Sequence, residues 1–535
     1  MTGYVVRKFS GIAPRNNARL LADNQAQIAT NCVVPSGTLR PLRVNLDVLT
    51  LPKAGTIRTI HRFGQDTASD AQYWFHWTQD VNVVRGAIYG DTQERTYWTG
   101  DGVPKVADNS NALAGTNYPS ASYTLGVPSP TTPIIATVGG TGDSNAIAET
   151  RLYVETFVSG WGEEGSTGDA SNEVTLQLGQ TVVLSLAPVP TGAYNLTARR
   201  IYRSVAGTSG TPYLFVTELP IATTSWTDAV LADDLGEELP SLTFTPPPAT
   251  LQGLVAMPGG VMAGFVGRDV YFCEPFKPHA WPIAYSMTVD SEIVALGVYD
   301  TTLLVLTKSA PFIVSGSDPA NYTMVKADIP QACASARSVV DVGGGVAFAS
   351  PDGLFLVGGS GARNLTESHF TRREWQLMKP AEISGYLVDG RYLAFYSTGG
   401  FILDLTTGDL VSLDWTASAG YYDPIRDALF LVTGNNELVK FDAGAADRAL
   451  SWRSKAFYQP KAMSLGAARV EASAYPVTFK VFADGVLKHT QTVTSAEPFR
   501  LPSGFLANQW EFEVSGAAEV YSAGFAESMT ELQNG

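Results

Sequence analysis

The five histidines are the first candidates for chemistry, because imidazole acts as a general base and as a metal ligand near neutral pH. None has a cysteine or a carboxylate at the spacing of a metal site, and they lie far apart, at His61, His76, His279, His369 and His489. His76 falls inside the strand-like run YWFHWT, where a packed or surface-facing ring is the simplest interpretation. The histidines therefore predict no metal centre and no catalytic base.

Motifs for covalent catalysis and for phosphate binding are also missing. The sequence has no GxSxG nucleophile motif, and its glycine runs at 343–345 and 358–361 lie between strand-like segments, whereas a phosphate-binding loop opens a helix. Three acidic pairs fall in loops, where solvated turns are favoured over a glycosidase couple: Glu163-Glu164, Asp233-Asp234 and Glu237-Glu238. We expect no enzyme activity and no cofactor.

Tryptophans and cysteines complete the search for chemistry. Trp74, Trp77 and Trp98 lie close together in the sequence and could form a shelf for a sugar ring, but sheet cores also use large rings heavily. Core packing is the favoured interpretation. The cysteines are odd in number and far apart, which predicts small reduced core residues and neither disulfides nor zinc ligands: Cys32, Cys273 and Cys333.

A recurring pair of apolar strands dominates the carboxyl-terminal half. In each copy an apolar strand runs into a turn of small or polar residues, and a second apolar strand follows. The copies start 42, 43, 46 and 37 residues apart, at Val261, Leu303, Val346, Tyr392 and Leu429. This spacing is near the roughly 40–50 residues of one propeller blade, a small antiparallel sheet that buries its faces against its neighbours.

A sixth copy is predicted near the amino terminus, where a strand from Tyr73 to Trp77 would pair with one that starts at Val81. The sequence thus predicts about six blades. Two short helices are expected, one from Asp23 to Ala29 and one from Thr371 to Met378 with a capping box. Turn residues that tolerate positive φ support the hairpins, at Asp352-Gly353, Gly399-Gly400, Asn435-Asn436 and Asp484-Gly485.

Proline-rich segments mark domain borders. VPSPTTP at 127–133 and TPPPAT at 245–250 flank strands at sandwich-like spacing, which predicts a fibronectin type III-like β-sandwich inserted into the propeller. After Trp452, alternating runs such as TFKVF predict a further β-rich module. The predicted fold is all-β, with an arm and hairpin at 1–50, a first propeller part at 51–126, the sandwich at 127–248, the main blades at 249–450 and the terminal module at 451–535.

Composition and charge restrict the function. Among 535 residues, 51 acidic and 36 basic side chains give a net charge of −15, which disfavours a protein that grips nucleic acid by neutralising phosphates. The first residues lack the apolar run of a signal peptide, and no stretch of about 18 uncharged apolar residues predicts a membrane helix. We expect synthesis and folding in a cytoplasm.

The segment KFSGIAPRNNARLLADNQAQIATNCVVPSGTLRPLR, from Lys8, has a recognisable order of features. A Gly-Ile start precedes a proline, an Asp-led short helix that ends in a small-residue-Asn pair (Ala29, Thr30, Asn31), a glycine turn and the hairpin pair Arg40-Pro41. This order resembles the amino terminus of the tail nozzle proteins, the tail tubular protein B-like components of short-tailed bacteriophages. The resemblance covers this segment closely and the wider order of parts loosely.

The resemblance implies a structural virion protein in the phage tail. Nozzle proteins form a ring, expected to be a hexamer, at the distal end of a short tail and attached to an adaptor protein. They carry tail fibres or tail spikes, contain a propeller with inserted modules, and gate the non-specific passage of phage DNA. An acidic channel suits that role, because a basic surface would hold phosphates by releasing counterions.

Interfaces, and not an active site, are then expected to carry the function. Arm residues could contact a neighbouring protein by strand addition or ion pairs, or could equally close the first blade of their own chain: Phe9, Arg15, Arg40 and Arg43. Two other functions stay open. One is a carbohydrate-binding or depolymerising receptor-recognition propeller of a virion, which needs a carboxylate pair and an aromatic shelf. The other is a propeller that serves as an interaction scaffold.

Overall fold

The computed structural model describes residues 3–64, 68–205 and 212–533. Short strands joined by tight turns make up most of these residues, and the longest α-helix among them is Arg372–Leu377. The prediction of an all-β protein is confirmed.

Two compact units are present, each with its own internal packing. The first comprises Met1–Thr78, Leu306–Pro311 and Ala327–Gly535, and the second comprises Gln79–Val305 and Phe312–Lys326. The chain therefore passes between the two units more than once.

Three four-stranded sheets between residues 82 and 326 have their strands side by side in chain order. The 82–124 sheet contains Asn82–Arg85, Thr96–Thr99, Lys105–Ala107 and Tyr123–Thr124. The 252–288 sheet contains Gln252–Met257, Val261–Val266, Asp269–Phe272 and Met287–Thr288. The 293–326 sheet contains Ile293–Tyr299, Thr302–Thr307, Phe312–Ser315 and Thr323–Lys326. Apolar side chains from all three sheets share one core cluster in the second unit.

The second unit also contains an inserted module, which lies in sequence between the 82–124 sheet and the 252–288 sheet. Its three-stranded sheets are Ile135–Gly139, Thr181–Ser185 and Ser225–Asp228, and Tyr153–Ser159, Leu196–Ser204 and Tyr213–Pro220. A further pair consists of Glu149–Arg151 and Val174–Leu176. The two larger sheets contribute to one separate apolar core, which includes Ala136, Leu184 and Ile201.

Two further four-stranded sheets lie in the first unit. The 340–364 sheet contains Val340–Asp341, Gly345–Ser350, Gly353–Gly358 and Gly361–Asn364. The 419–440 sheet contains Ala419–Asp423, Ala428–Thr433 and Glu437–Lys440, and the early strand Leu46–Thr50 completes it. A separate pair is formed by Thr59–Arg62 and Trp74–Trp77.

A ten-stranded sheet, here called the long sheet, is the largest element of the first unit. Its order is Ser384–Val388, Arg391–Tyr396, Gly399–Asp404, Leu410–Leu413, Ala26–Thr30, Leu450–Ser454, Ala507–Gly516, Val477–Ala483 and Val486–Val493, and Phe457–Met463 also pairs with Ala507–Gly516. The terminal sheet has the order Gly3–Val6, Val520–Ala526, Ala467–Ala472 and Phe499–Arg500. A short hairpin, Cys32–Val33 with Arg40–Pro41, follows the amino-terminal strand of the long sheet.

The five hairpins predicted in the carboxyl-terminal half are confirmed, because each pair of apolar strands is antiparallel and adjacent. The sixth predicted pairing is wrong. Trp74–Trp77 pairs with Thr59–Arg62, and Asn82–Arg85 pairs with Thr96–Thr99. All four residues of Trp74–Trp77 are buried, so this strand needs apolar neighbours, and Ile60 on its partner strand lies in the same core cluster as Trp74.

The α-helices are Asn109–Ala112, Arg372–Leu377 and Met529–Gln533, and the 3₁₀ turns are Ala232–Asp234, Pro258–Gly260, Ile283–Tyr285, Pro319–Asn321, Ala336–Ser338, Pro380–Glu382 and Gly434–Asn436. The predicted helix at Thr371 is confirmed with its capping box, in which Glu374 N donates to Thr371 Oγ1 and Thr371 N donates to the Glu374 carboxylate. The helix predicted from Asp23 to Ala29 is wrong. Residues 26–30 form a strand instead, because they gain backbone partners in Leu450–Ser454.

The predicted turns have mixed outcomes. Asn435 and Asn436 have φ of 61° and 57°, and Asp484 and Gly485 have φ of 49° and 78°, as tight hairpin turns require. At Gly399-Gly400 the prediction is wrong, because both glycines lie inside the strand Gly399–Asp404. Gly353 has φ of 153° at the start of its strand, and Asp352 lies in the preceding turn.

Candidate interaction surface at the amino-terminal segment

The segment that carries the resemblance, residues 8–43, is built into the first unit. Ala26–Thr30 lies between Leu410–Leu413 and Leu450–Ser454 in the long sheet. Just before the second strand of the short hairpin, the backbones of Leu39 and Val520 exchange two hydrogen bonds of 2.9 Å. The segment therefore connects the long sheet to the terminal sheet.

Gly11 and Asn31 have residue types that the local backbone requires. A Cβ at Gly11 would lie 2.2 Å from the carbonyl oxygen of Leu410, so no side chain fits there. Gly11 N donates to Asp409 Oδ1 at 2.9 Å, and Ile12 N donates to Leu410 O at 2.7 Å. Asn31 has φ of 54°, a left-handed conformation that Asn tolerates better than most residues, and its N–H donates to Ser412 O at 3.0 Å.

Of the two roles left open for the arm residues, the structure places Phe9 in its own chain, because its side chain does not belong to an exposed surface. Its side chain is 1% exposed and packs edge-to-face on Trp452, with ring centroids 4.9 Å apart. Trp452 Nε1 also donates to Ser10 O at 3.0 Å. Burying a phenyl ring among apolar neighbours removes its surface from water and lowers the free energy of the folded chain. Phe9 therefore stabilises its own core.

Arg15 is exposed but bonded to its own chain. Its Nη1 donates to Glu367 O at 2.5 Å, and its backbone N donates to His369 O at 2.7 Å. Arg15 does not line the cleft that contains Arg40 and Arg43. The structure thus separates the two later arginines from the other predicted interface residues.

Arg40 and Arg43 lie together in a cleft of about 360 Å³. The rest of its lining comes from the carboxyl-terminal part of the chain and from the hairpin itself: Pro41, Asp442, Asp447, Ser473 and Glu519. Both arginines are exposed, and within residues 3–64, 68–205 and 212–533 neither guanidinium has an ion-pair partner within 4 Å. The short hairpin holds them in place through its pairing of Cys32 with Pro41.

Asp442 is the electrostatic centre of this cleft. Burial raises the pKa of its carboxyl, and the N–H of Arg43 and the guanidinium groups of Arg40, Arg391 and Arg43 oppose that rise. Arg43 N donates to Asp442 Oδ1 at 2.5 Å. Burial likewise lowers the pKa of Arg448, while Asp414 and Asp442 oppose the change. Four guanidinium groups therefore act on one partly buried carboxylate.

Arg448 and Arg391 were not found from the sequence. Arg448 lies 4.8 Å above the Trp415 ring and donates from Nε to Arg43 O at 3.2 Å. Arg391 lines a smaller cleft of about 230 Å³, which borders the hairpin loop at Val33, Val34 and Pro35. No local pattern marks Arg448, because its partner Arg43 is distant in sequence, and Arg391 pairs locally with Asp389 at 3.2 Å.

The three tryptophans proposed as a sugar shelf are buried, as the core interpretation predicted. They offer no stacking surface. His76 is also buried, with Nδ1 2.9 Å from Trp74 O, and burial lowers its pKa. The cysteines are free and buried, and burial raises the pKa of each to about 12, as expected for inert core thiols: Cys32, Cys273 and Cys333.

The acidic pairs divide into two kinds. For Glu163-Glu164 the solvated-turn prediction is wrong, because Arg95 Nη1 donates to Glu163 at 2.7 Å and Tyr202 OH donates to buried Glu164 at 2.7 Å. Burial raises the pKa of Glu163, and Arg95 opposes the rise. Asp233-Asp234 and Glu237-Glu238 are exposed, as predicted.

In the part of the chain that the structure describes, no three His, Cys, Asp or Glu side chains are grouped so that they could hold a metal ion. No helix there combines the length and the apolar character needed to cross a membrane.

Comparison with known proteins yields only distant structural matches. No family model and no curated protein matches the chain. The crystal structure of BBS1N in complex with ARL6DN, soaked with mercury, matches at 9% identity with a TM-score of 0.30, over 76% of this chain and 99% of that chain. Hsv2 of Kluyvelomyces marxianus matches at 9% identity, over 51% and 85%, with a TM-score of 0.25. The N-terminal domain of Nup159 matches at 11% identity, over 59% and 86%, with a TM-score of 0.23. These are distant similarities to β-propeller proteins.

Proposed function

We propose that this chain is a structural virion protein, a tail nozzle subunit of a short-tailed bacteriophage. It forms a ring, expected to be hexameric, that surrounds the distal channel for DNA exit. It attaches to a tail adaptor protein and docks tail fibres or spikes. It folds in the host cytoplasm and functions in the virion tail through its surfaces.

One observation carries this proposal: the residues that define the resemblance are residues that the local fold requires. Gly11 has no room for a Cβ, Asn31 adopts a left-handed backbone, and Arg40-Pro41 forms a hairpin strand. This agreement between the residue types of the segment and its backbone geometry supports the proposal.

The finer fold that we propose is a propeller of about six blades, with a fibronectin type III-like sandwich inserted after the first part and a β-rich module at the end. Consecutive four-stranded sheets support it. So does the strand Leu46–Thr50, which completes the late 419–440 sheet. A late sheet completed by an early strand loses an open edge, which is how closed sheet arrays protect themselves.

The net charge of −15 is compatible with a channel for DNA. Phosphates pass an acidic wall without being bound, whereas Lys and Arg on the wall would retain DNA through counterion release. The proposal therefore expects carboxylates to outnumber basic groups on the inner surface of the ring.

Electron microscopy of the purified chain tests the proposal directly. Negative-stain images and native mass spectrometry should show hollow particles with six-fold symmetry. Gold-labelled antibodies against the chain should bind the tail tips of intact phage. Solitary monomers at every concentration, or a label confined to the capsid, would overturn the proposal.

A further inference from the structure

The inserted module is attached to the rest of the second unit through two neighbouring connections, at 127–133 and 245–250. Neither segment contains a helix or a strand. Gly126 has φ of 97°, and a Cβ there would lie 2.7 Å from the Pro246 side chain, so the two connections run side by side. A module attached along one line can pivot about it, and a glycine with a left-handed backbone is suited to a hinge.

The module and the neighbouring sheets have separate apolar cores. The core of the module contains Ile201, whereas the 82–124 and 252–288 sheets share the other core cluster. Among the residues that the structure describes, Trp161 is the one module side chain that packs against the sheet core. Its ring lies edge-to-face to Tyr123, with centroids 5.5 Å apart. Separation of the module from the sheets would therefore expose little apolar surface and would leave both cores intact.

Arg95 holds the module against the 82–124 sheet, and its contacts are here called the clasp. Its Nη1 donates to Glu163 of the module at 2.7 Å, and its Nε donates to Asp91, in the turn before its own strand, at 2.7 Å. The guanidinium also lies 5.5 Å from the centroid of the Trp161 ring. Arg95 is only 8% exposed, so its removal would leave a buried Glu163 carboxylate without a compensating charge.

Two buried polar atoms beside the clasp are unsatisfied while the module is docked. The Tyr97 hydroxyl and His279 Nδ1 form no hydrogen bond within residues 3–64, 68–205 and 212–533. His279 Nδ1 lies 3.7 Å from Glu163 Oε1. Burial and then the nearby Glu163 carboxylate raise the pKa of the Tyr97 hydroxyl. A buried polar group without a partner destabilises the state that contains it, and water would satisfy both atoms after separation.

We propose that the inserted module is a hinged arm, which undocks from the 82–124 and 252–288 sheets as a folded body when the clasp opens. The separate core keeps the module folded while it moves, and the paired connections form the hinge. The two unsatisfied atoms lower the free energy needed for opening. The docked and undocked arrangements are then two states of one chain, and a partner that binds either state shifts the balance between them.

Hydrogen exchange with mass spectrometry, resolved to single amides, is the first test. Thr124 N donates to Ala193 O at 2.7 Å, so exchange of the Thr124 amide reports separation of the sheet from the module. R95M removes both charged contacts of the clasp and should accelerate this exchange about 100-fold. Amides of Leu196–Ser204, inside the module, should stay within about threefold of the wild type, because the module remains folded. Small-angle X-ray scattering should show a larger radius of gyration for R95M.

R200M is the matched control. Arg200 also holds two carboxylates, with Nη1 2.7 Å from Glu164 and Nε 2.8 Å from Glu218, but both of them belong to the module. Exchange of the Thr124 amide in R200M should therefore stay within about threefold of the wild type.

Y97F is the second test, and its expected effect has the opposite sign. The substitution removes a buried hydroxyl that has no partner and leaves the ring in place. The docked state becomes more stable relative to the open state, so exchange of the Thr124 amide should slow about tenfold.

Three outcomes would overturn the hinged arm. One is unchanged exchange of the Thr124 amide in R95M, because the clasp would then not control docking. Another is equal acceleration at Thr124 and in Leu196–Ser204, because the module would then unfold instead of moving as a body. The third is exchange at Thr124 in Y97F that equals or exceeds the wild-type rate. None of these outcomes bears on the nozzle proposal, which is tested by the assembly of the chain.

Discussion

Gly11 is the position in the amino-terminal segment where a single methyl group should do the most damage. Gly11→Ala places a Cβ 2.2 Å from Leu410 O and 2.6 Å from Leu410 N, both of them backbone atoms that cannot rotate away. Carbon atoms in contact need about 3.5 Å, so the two segments must separate by about 1 Å. That movement reaches the strand Ala26–Thr30, because Ala26 N donates to Gly11 O at 3.0 Å.

The magnitude follows from the hydrogen bonds that the movement breaks. Ile12 N to Leu410 O is a neutral bond, and Gly11 N to Asp409 Oδ1 is a bond to a carboxylate. A neutral bond contributes about 1 kcal/mol and a charged one about 2 kcal/mol, so the substitution should cost about 3 kcal/mol. This energy corresponds to roughly a 100-fold increase in local opening.

Hydrogen exchange with mass spectrometry measures that opening. Peptides that contain Ala26–Thr30 should exchange about 100-fold faster in Gly11→Ala than in the wild type. Gly344→Ala is the matched control, because no atom lies within 4 Å of its Cβ and its φ is outside the left-handed region. Exchange of the Ala26–Thr30 amides within threefold of the wild type would refute the reasoning.

Three further substitutions test interactions elsewhere. Glu155→Gln removes the charge from a buried pair, 2.7 Å from Arg199, and should destabilise the inserted module by about 3 kcal/mol in urea unfolding, with partial recovery in E155Q/R199M. Burial lowers the pKa of His279 from 6.5 to about 4, so its neutral form contributes stability above pH 6.5 that is lost as pH falls toward 4. In His279→Asn the free energy of unfolding should therefore fall by up to about 3 kcal/mol less than in the wild type as the pH is lowered from 6.5 toward 4. An unchanged dependence of the unfolding free energy on pH would contradict this assignment. Thr371→Ala removes a helix cap and should cost about 1 kcal/mol, seen as faster exchange in Arg372–Leu377, whereas Thr371→Ser should have little effect.

Local features of the fold were predictable because their causes are local. The five hairpins follow from apolar strands that pair with their immediate neighbours, and the left-handed residues Asn435 and Asp484 follow from turn geometry. The segment at Asp23 shows where prediction from local sequence fails. Its residues have helix signals, but Ala26–Thr30 gains its hydrogen bonds from Leu450–Ser454, a strand that no short window of sequence contains.

The same limit applies to the candidate surface. The resemblance selected Arg40 and Arg43, which the structure brings together, but it also selected Phe9, which is buried. Asp442 and Arg448 became visible only in the folded chain, because the loop that carries them meets the hairpin through long-range contacts. The resemblance grouped these residues by their place in the segment, although Phe is usually buried and Arg is usually exposed.

The long sheet shows how the amino-terminal segment contributes to the stability of the first unit. Ala26–Thr30 is the one strand between Leu410–Leu413 and Leu450–Ser454 in the described order, so the hydrogen-bonded path through the sheet crosses it. On the Leu450–Ser454 side it forms an antiparallel ladder, but on the other side the pairing is parallel and limited to Thr30 with Ser412. Ser412 compensates by donating from Oγ to Ala29 O at 3.0 Å and by accepting the Asn31 N–H through its carbonyl. The pairing on this side therefore depends on a few bonds around Ser412, and Ser412→Ala should weaken it while leaving the antiparallel ladder intact.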